Sequence, residues 1–150
     1  MQIHLDLLRY KYQLRVRRKD NKRYIFDRIR KKWLVLQPEE MVRQLILEYL
    51  LQERAYNPTR ISMERGLKVN TLDRRYDLLV YDKAVTPYLL IECKAPQVKI
   101  SQAVFEQVSW YNSSLQVPYM MVTNGLDTYC CWMDYETKSY QFLEAVPEPG

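Results

Sequence analysis

The chain has 150 residues, of which 47% are hydrophobic and 27% are charged, so it is long enough for one globular domain with its own core. No apolar run approaches the roughly 18 residues that cross a bilayer, and the amino terminus lacks the cleavage site of a secretory signal. Three cysteines and one histidine suit neither a disulfide framework nor a Cys/His zinc cluster. We expect a single cytoplasmic domain over residues 1–150, without a membrane span.

The net charge of +5 is concentrated at the amino terminus. Residues 1–32 carry 12 Lys and Arg against 3 Asp and Glu (+9), and residues 33–150 carry 11 against 15 (−4). Aromatic residues interleave with the cations in RYKYQLRVRRKDNKRYIFDRIRKKW, which is typical of surfaces that bind phosphates and stack on bases. A solvated hairpin around Lys-Asp-Asn-Lys is the alternative. The pattern favours a basic N-terminal arm, residues 1–32, that contacts a polyanion.

The first predicted helix spans about residues 38–55. Pro38 suits its first position, and Asn57-Pro58 ends it. An apolar stripe at helical spacing is formed by Val42, Leu45, Ile46, Tyr49 and Leu50. Polar residues nearer the edges of this stripe are Glu40, Arg43 and Gln44. Most of the helix is therefore expected to be core.

Strands and a second helix follow. RISMERGLKV predicts a strand, and RRYDLLVYDKAVTPYLLIECKAP predicts a hairpin whose turn spans Asp82 to Pro87. ISQAVFEQVSWYNSSL predicts a helix capped by Ser101, VPYMMVTNG a buried strand, and the remainder two short strands. The expected fold is α/β, with a mixed central β-sheet flanked by helices, and its core covers about residues 38–144.

Two carboxylates are predicted to meet in the hairpin. A turn centred between residues 84 and 85 opposes positions whose numbers sum to 169, which pairs Tyr81 with Tyr88 and Leu79 with Leu90. The same register opposes Asp77 to Glu92, at a Cβ separation of about 5 Å where like charges are destabilising. Such a pair can share a proton, be neutralised by Lys94, or bind a cation.

A divalent cation would leave no residual repulsion in this pair. Oxygen ligands without an available histidine favour Mg²⁺ or Mn²⁺, which keeps several waters and accepts phosphate oxygens. Alternation along the strand puts Lys94 on the side of Glu92 and turns Cys93 the other way. A lysine beside such an ion can hold or deprotonate the attacking water. This chemistry suits phosphodiester hydrolysis.

Asp77 together with Glu92-Cys93-Lys94 resembles the PD-(D/E)xK nuclease signature, which implies a restriction-endonuclease-like core. A wider set of segments, over roughly residues 25–135, is similar to the N-terminal nuclease domain of type I restriction enzyme R subunits. Those segments are FDRIRKKWLVLQPEEMVRQLILEYL, RRYDLLVYD, LLIECKAP, FEQVSWYN and YMMVTNG.

The resemblance implies a role for each matching residue. Asp77 and Glu92 would bind the metal, with the backbone carbonyl of Cys93 as a further ligand, and Lys94 would be the catalytic lysine. A helix glutamate often adds to the metal site in such folds, for which Glu40 is the first candidate and Glu39 and Glu64 are rivals. The element Gln107-Val-Ser-Trp-Tyr111 would contact substrate phosphate or steady the catalytic strand. The expected basic contacts to nucleic acid are Arg28, Arg30, Lys31 and Lys32.

The resemblance also implies DNA as the partner, together with other restriction-modification subunits or a motor domain. The chain itself has three glycines and no Gly-rich loop ending in Gly-Lys-Ser/Thr, so it is not expected to pump DNA with ATP. Two other readings stay open: an inactive nucleic-acid-binding module with the nuclease fold, and a protein-docking domain in which the acidic pair and Lys94 are structural.

Overall fold

The amino-terminal part of the chain contains a three-stranded antiparallel sheet. The computed structural model describes residues 2–69, 72–111 and 113–150; the side chains at 64–69, 72–75, 111 and 113 lie outside that description. The strands are β1 (Val16–Lys19), β2 (Lys22–Asp27) and β3 (Lys32–Val35), in that order. Asp20 and Asn21 join β1 to β2 with φ of 51° and 63°, as in the two-residue turns that match hairpin twist. The expected basic hairpin is confirmed, and a third strand extends it.

Helix α1 (Pro38–Gln52) follows the small sheet. It is slightly shorter than predicted, and the chain then turns at Ala55 with φ of 56°. Four residues of the expected apolar stripe are buried, and Tyr49 packs at the edge of the same core; the four are Val42, Leu45, Ile46 and Leu50.

The polar side of α1 is also buried, which the helical periodicity did not predict. Glu40, Arg43, Gln44 and Glu48 all have less than 9% of their surface exposed. The reason is that residues from the small sheet cover this side: Arg28 pairs with Glu48, and Arg30 pairs with Glu40. Helix α1 therefore lies between two layers of protein.

A six-stranded mixed sheet forms the centre of the molecule. Its strands, in sheet order, are β4 (Ile61–Val69), β5 (Leu72–Tyr81), β6 (Pro87–Cys93), β7 (Tyr119–Thr123), β8 (Thr128–Asp134) and β9 (Ser139–Phe142). Strands β6 and β7 are parallel, and the other neighbours are antiparallel. Helix α2 (Gln102–Tyr111) belongs to the crossover between β6 and β7, and the Ser101 hydroxyl accepts the Val104 N–H at 3.2 Å as its N-cap. The predicted mixed sheet and cap are confirmed.

The two faces of this sheet bury separate cores. On the α1 side, Leu78, Leu89 and Ile91 pack with the apolar stripe of that helix. On the α2 side, Leu79 and Leu90 pack with Phe105 and their neighbours. The adjacent Cys130 and Cys131 point into different cores, as the alternation of strand side chains requires, and both are free thiols.

The β5–β6 hairpin keeps the predicted register where it matters for the acidic pair. Leu78 pairs with Ile91, Leu79 with Leu90 and Val80 with Leu89, each pair summing to 169. The register shifts between Val80 and Tyr81, so Tyr81 pairs with Pro87. The predicted pairing of Tyr81 with Tyr88 is wrong, because Tyr88 is the extra residue of a β-bulge on β6.

The first residues of the chain are part of the α1-side core. Ile3 forms a β-bridge with Thr128, and Leu7 and Tyr10, from the 3-10 helix Leu7–Gln13, are buried against α1 and its neighbours. In the described part of the chain, no helix is long and apolar enough to cross a membrane.

Candidate active site

The candidate site lies where β5 and β6 stop pairing through their backbones. The recorded ladder ends at Leu78 and Ile91. At the next position the N–H of Cys93 donates to Oδ2 of Asp77 at 2.7 Å, so a side chain takes the place of a backbone acceptor. The carboxyl group of Asp77 lies close enough to Glu92 to raise the pKa of Glu92 through its charge and through side-chain hydrogen bonding. The two acidic side chains predicted to meet are thus together.

Arg43 holds the other oxygen of Asp77. Its Nε donates to Oδ1 of Asp77 at 2.8 Å, and its two terminal nitrogens reach Glu39 at 2.9 Å and Glu40 at 3.2 Å. The Arg43 side chain is only 10% exposed, so this cation is desolvated and its hydrogen bonds are charge-assisted. Arg43 therefore orients Asp77 and offsets part of the negative charge of the site.

Glu92 is the electrostatically perturbed member of the pair. Burial, followed by the charge of Asp77 and the hydrogen bond to it, raises the pKa of Glu92 to about 8, whereas Lys94 acts to lower this pKa. Glu39 adds to the rise. In the absence of a metal, the direction of this shift favours the protonated form of Glu92.

Lys94 immediately follows β6 and remains attached to the sheet. Its N–H donates to the carbonyl oxygen of Thr123 on β7 at 2.8 Å, and its charge acts on Glu92. Cys93 points away from this site into the α1-side core, where burial raises the pKa of its thiol. The predicted turning of Cys93 away from the acidic pair is confirmed, and the position of the Lys94 side chain beside Glu92 stays a prediction.

The donor set suits a hard divalent cation. Two neighbouring carboxylates, at the end of β6 where Cys93 has a backbone carbonyl, are oxygen ligands of the kind that Mg²⁺ takes together with several waters. Among the described residues, no group of three or more His, Cys, Asp or Glu side chains is arranged to hold a metal. An ion at this site would be held by Asp77, Glu92, the Cys93 carbonyl and solvent, and it would have to displace hydrogen bonds that Asp77 accepts from Arg43 and from the Cys93 N–H.

The third carboxylate ligand stays a prediction. Both oxygens of Glu40 accept hydrogen bonds, one from Arg43 and the other from Arg30 and Gln44, so Glu40 would have to exchange these bonds to reach a metal. Glu39, a rival candidate, is the α1 carboxylate whose charge acts on Glu92. The side chain of Glu64 lies outside the described residues.

Helix α2 places Gln107 on its exposed side, opposite the buried Phe105 and Ser109. In the part of the chain that the structure describes, the Gln107 side chain makes no hydrogen bond. The side chain of Tyr111 is outside that part. The proposed contact of this pair with substrate therefore stays a prediction.

The four basic residues expected to bind nucleic acid lie in the turn between β2 and β3 and at the start of β3. Asp27 is buried and organises the turn: it accepts the N–H groups of Ile29 and Arg30 at 2.8 and 3.0 Å and pairs with the Arg30 guanidinium. Arg30 also bonds to Glu40, and Arg28 to Glu48, so both are partly engaged within the protein. Lys31 and Lys32 are exposed.

The β1–β2 hairpin carries further exposed cations. Arg18 pairs across the ladder with Arg23, and Lys19 with Lys22, so like charges face each other directly. Arg15 lies over the rings of Phe26 and Trp33, with its guanidinium carbon 4.5 and 5.3 Å from their centroids, and Arg17 also covers Trp33 at 4.2 Å. Opposed like charges favour a bound anion, and stacked guanidinium groups keep their edges available for phosphate.

Sequence reasoning missed Arg43 as a residue of the site. Helical periodicity places Arg43 near the edge of an apolar stripe and does not show what covers the polar side of the helix. A usable signal was present in the spacing, since Arg43 follows Glu39 and Glu40 at i+4 and i+3 and can bond to both.

Comparison with known proteins adds two findings. Residues 38–147 match the profile of the family described as type I restriction enzyme R protein N terminus. A solved fragment structure of an HsdR subunit of a type I restriction enzyme from Vibrio vulnificus YJ016 is similar, with a TM-score of 0.52 and 21% identity. No curated protein matches the chain.

The structural similarity covers 75% of this chain but 24% of the Vibrio protein chain, so this chain corresponds to a minor part of that molecule. At this level of identity the comparison establishes the fold. The mixed sheet with flanking helices is that of the HsdR fragment and agrees with the expected restriction-endonuclease-like core.

Proposed function

The chain belongs to the type I restriction enzyme R protein N-terminus family, and from this we propose that it is a metal-dependent endonuclease domain that hydrolyses phosphodiester bonds of DNA. The family supports a restriction-enzyme-like role. One observation carries the finer proposal. Asp77 and Glu92 lie together at the end of the β5–β6 ladder, and the charges of both Asp77 and Lys94 act on the carboxyl group of Glu92.

Asp77 and Glu92 would hold Mg²⁺ or Mn²⁺, with the Cys93 carbonyl as a further ligand. The chemistry supplied by a divalent ion at these carboxylates is neutralisation of charge on the phosphate and a lower pKa of a bound water. The chain would provide the rest. Arg43 and the Cys93 N–H fix the orientation of Asp77, and Lys94 would hold or deprotonate the attacking water and offset charge that develops on the phosphate.

DNA is the proposed substrate, and the exposed cations of the small sheet support it. The solved relative is described as a subunit of a type I restriction enzyme. By analogy, this chain would work with other restriction-modification subunits or with a motor domain, which would supply ATP-driven movement.

The proposal predicts that Lys94→Ala abolishes cleavage and largely spares the fold. The variant removes a charge at the site but no buried apolar packing. Plasmid, linear and single-stranded DNA would be incubated with Mg²⁺ or Mn²⁺, and thermal melting would be followed in parallel. Lys138→Ala, an exposed lysine in the turn after β8, is the matched control and should cleave like wild type. Addition of EDTA to the wild type should reproduce the Lys94→Ala result.

Intact substrates with wild-type protein and either metal would refute catalysis by this chain. A marked fall in the melting temperature of Lys94→Ala would instead favour a structural acidic cluster, because the two carboxyl groups would then depend on Lys94 for neutralisation.

A second candidate is an inactive nucleic-acid-binding module with the nuclease fold. The Arg43–Asp77 ion pair favours it, because a buried arginine can neutralise Asp77 without a metal. This candidate predicts an affinity for DNA that falls steeply as the salt concentration rises and does not depend on Mg²⁺. It also predicts that calorimetry detects no heat of Mn²⁺ binding.

A further inference from the structure

An open, cationic groove lies between the small sheet and the edge of the central sheet. One wall is the turn after β2 and the start of β3, with Ile29, Arg30 and Lys32. The other is the segment from Thr59 to Met63, which enters β4, the edge strand of the central sheet. Its volume is about 610 Å³, within the range of about 300–1,000 Å³ that is usual for sites enclosing small ligands.

Both walls of this groove are positively charged. Lys32 stands on the first wall and Arg60 on the second, and in the described part of the chain neither forms an ion pair. A neighbouring groove of about 510 Å³ shares Ile29, Thr59 and Ile61 with the first and adds Arg28 and Lys31. No aspartate or glutamate is among the described residues that line either space. The combined surface therefore attracts an anion over the length of several side chains.

Hydroxyl groups complete the lining. Thr59, Ser62 and Tyr81 contribute to the same groove as Lys32 and Arg60. Hydroxyls together with Lys and Arg are the side chains that most often contact phosphate and sugar oxygens, and they do so without reading base sequence. The chemistry of the lining thus fits a phosphodiester backbone better than a lipid surface, which would need an apolar face to insert.

The groove is connected to the candidate active site. Arg30, on its first wall, bonds to Glu40; Glu40 bonds to Arg43, and Arg43 to Asp77. On the other wall Met63 pairs with Leu78, the residue after Asp77. Both walls of the groove are thus linked through the protein to residues that hold or adjoin Asp77.

We propose that this groove binds one strand of a nucleic acid through its phosphates, with Lys32 and Arg60 gripping the strand from opposite walls. The inference deepens the proposed function, on which the choice of a nucleic acid as the ligand rests. Arg60 was not expected from sequence, where it appeared as the first residue of a strand. In the structure it ends the short 3-10 helix Pro58–Arg60, which Asn57 caps through the Thr59 N–H at 2.9 Å.

The test is equilibrium binding of a fluorescent single-stranded oligonucleotide, in EDTA, across a series of salt concentrations. Lys32→Gln and Arg60→Gln should each weaken binding and lower the slope of log K against log salt by about 0.7, the value for one lost phosphate contact on a single strand. The double variant should lower the slope by about twice as much. Arg60→Lys keeps the charge and should retain most of the binding. Retained binding would attribute the loss in Arg60→Gln to the missing charge and not to misfolding.

Lys138→Gln is the matched control. It removes one exposed charge from the turn between β8 and β9, at the opposite edge of the central sheet from β4, and it should bind like wild type. The inference is overturned if both groove variants keep the wild-type affinity and slope, or if Lys138→Gln loses as much. It is also overturned if the groove binds polyglutamate with the same dependence on Lys32 and Arg60 and leaves the oligonucleotide unbound, which would identify an acidic protein partner.

Measurement in EDTA separates this inference from the proposed catalysis. Groove-dependent binding with no cleavage in Mg²⁺ or Mn²⁺ would leave the groove assignment standing and remove the nuclease. If the wild type cleaves DNA but the groove variants bind the oligonucleotide normally, the nuclease proposal stands and the groove assignment is wrong.

Discussion

At the scale of single residues, the protonation of Glu92 is the property most open to measurement. Its pKa is raised to about 8 in the folded protein, against an ordinary value of 4.5, mainly because of burial and then because of Asp77. Between these two values the folded state binds more protons than the unfolded state. The free energy of unfolding must therefore fall as the pH rises through this range, the opposite of the behaviour of a salt-bridged carboxylate.

We predict that Glu92→Gln removes this loss of stability in metal-free protein. The wild type should become less stable relative to the variant as the pH rises from about 4.5 to about 8, because the variant has no proton to release. Urea denaturation in EDTA at a series of pH values measures the difference. Glu136→Gln, at an exposed position, is the control and should follow the wild type. Parallel curves for wild type and Glu92→Gln would contradict the raised pKa.

Sequence reasoning worked at this scale where strand geometry decides the outcome. The alternation of side chains and the register sum brought Asp77 and Glu92 together and turned Cys93 into the core. It could not find the hydrogen bonds of Asp77 to Arg43 and to the Cys93 N–H, because these depend on how α1 packs and on where the ladder ends.

At the scale of elements, α1 joins the two sheets through charged side chains. Glu48 and Glu40 connect it to the turn after β2, and Arg43 connects it to Asp77 on β5. The helix was predicted almost to its ends, since Pro38 and Asn57-Pro58 mark them in the sequence. Its second contact surface could not be predicted, because polar residues on a helix ordinarily indicate solvent.

Arg43→Met should be strongly destabilising. The change removes the arginine that pairs with the buried Asp77 and one of the two arginines that pair with Glu40, and breaking a buried ion pair typically costs about 3–5 kcal/mol of the free energy of unfolding. Glu39→Gln is the matched control, because it removes a bond to the same arginine from a side chain that is 44% exposed, where such pairs contribute about 0–1 kcal/mol. Urea denaturation at pH 7 compares them. Equal small losses for both variants would show that Arg43 is not structural.

At the scale of the whole molecule, residues 1–32 are not simply a basic arm. The family match begins at residue 38, yet Ile3, Leu7 and Tyr10 lie in the core that α1 shares with the central sheet. The charge asymmetry correctly indicated a cationic surface on this segment. It gave no sign of the apolar anchor, because these three core residues are spread among polar and charged positions. A single domain over residues 1–150 remains our prediction.

Leu7→Ala tests whether the amino-terminal segment belongs to the fold. Leu7 is 1% exposed, and truncating a leucine in a packed core typically costs about 2–5 kcal/mol. The neighbouring Leu8 is 51% exposed, so Leu8→Ala makes the same chemical change outside the core and should cost little. Thermal and urea unfolding of the two variants decide the matter. A Leu7→Ala protein as stable as Leu8→Ala would mean that the segment is only loosely attached.

The bulge at Tyr88 has a consequence for how the loop after β5 can vary. A change of one residue in loop length would ordinarily slip the whole β5–β6 ladder and turn Glu92 to the wrong side of the sheet. The bulge lies between that loop and the acidic pair, so it can take up a mismatch before the mismatch reaches Leu79 and Leu90. We therefore expect a change of one residue at the loop tip to alter the bulge before it alters the pairing that places Glu92.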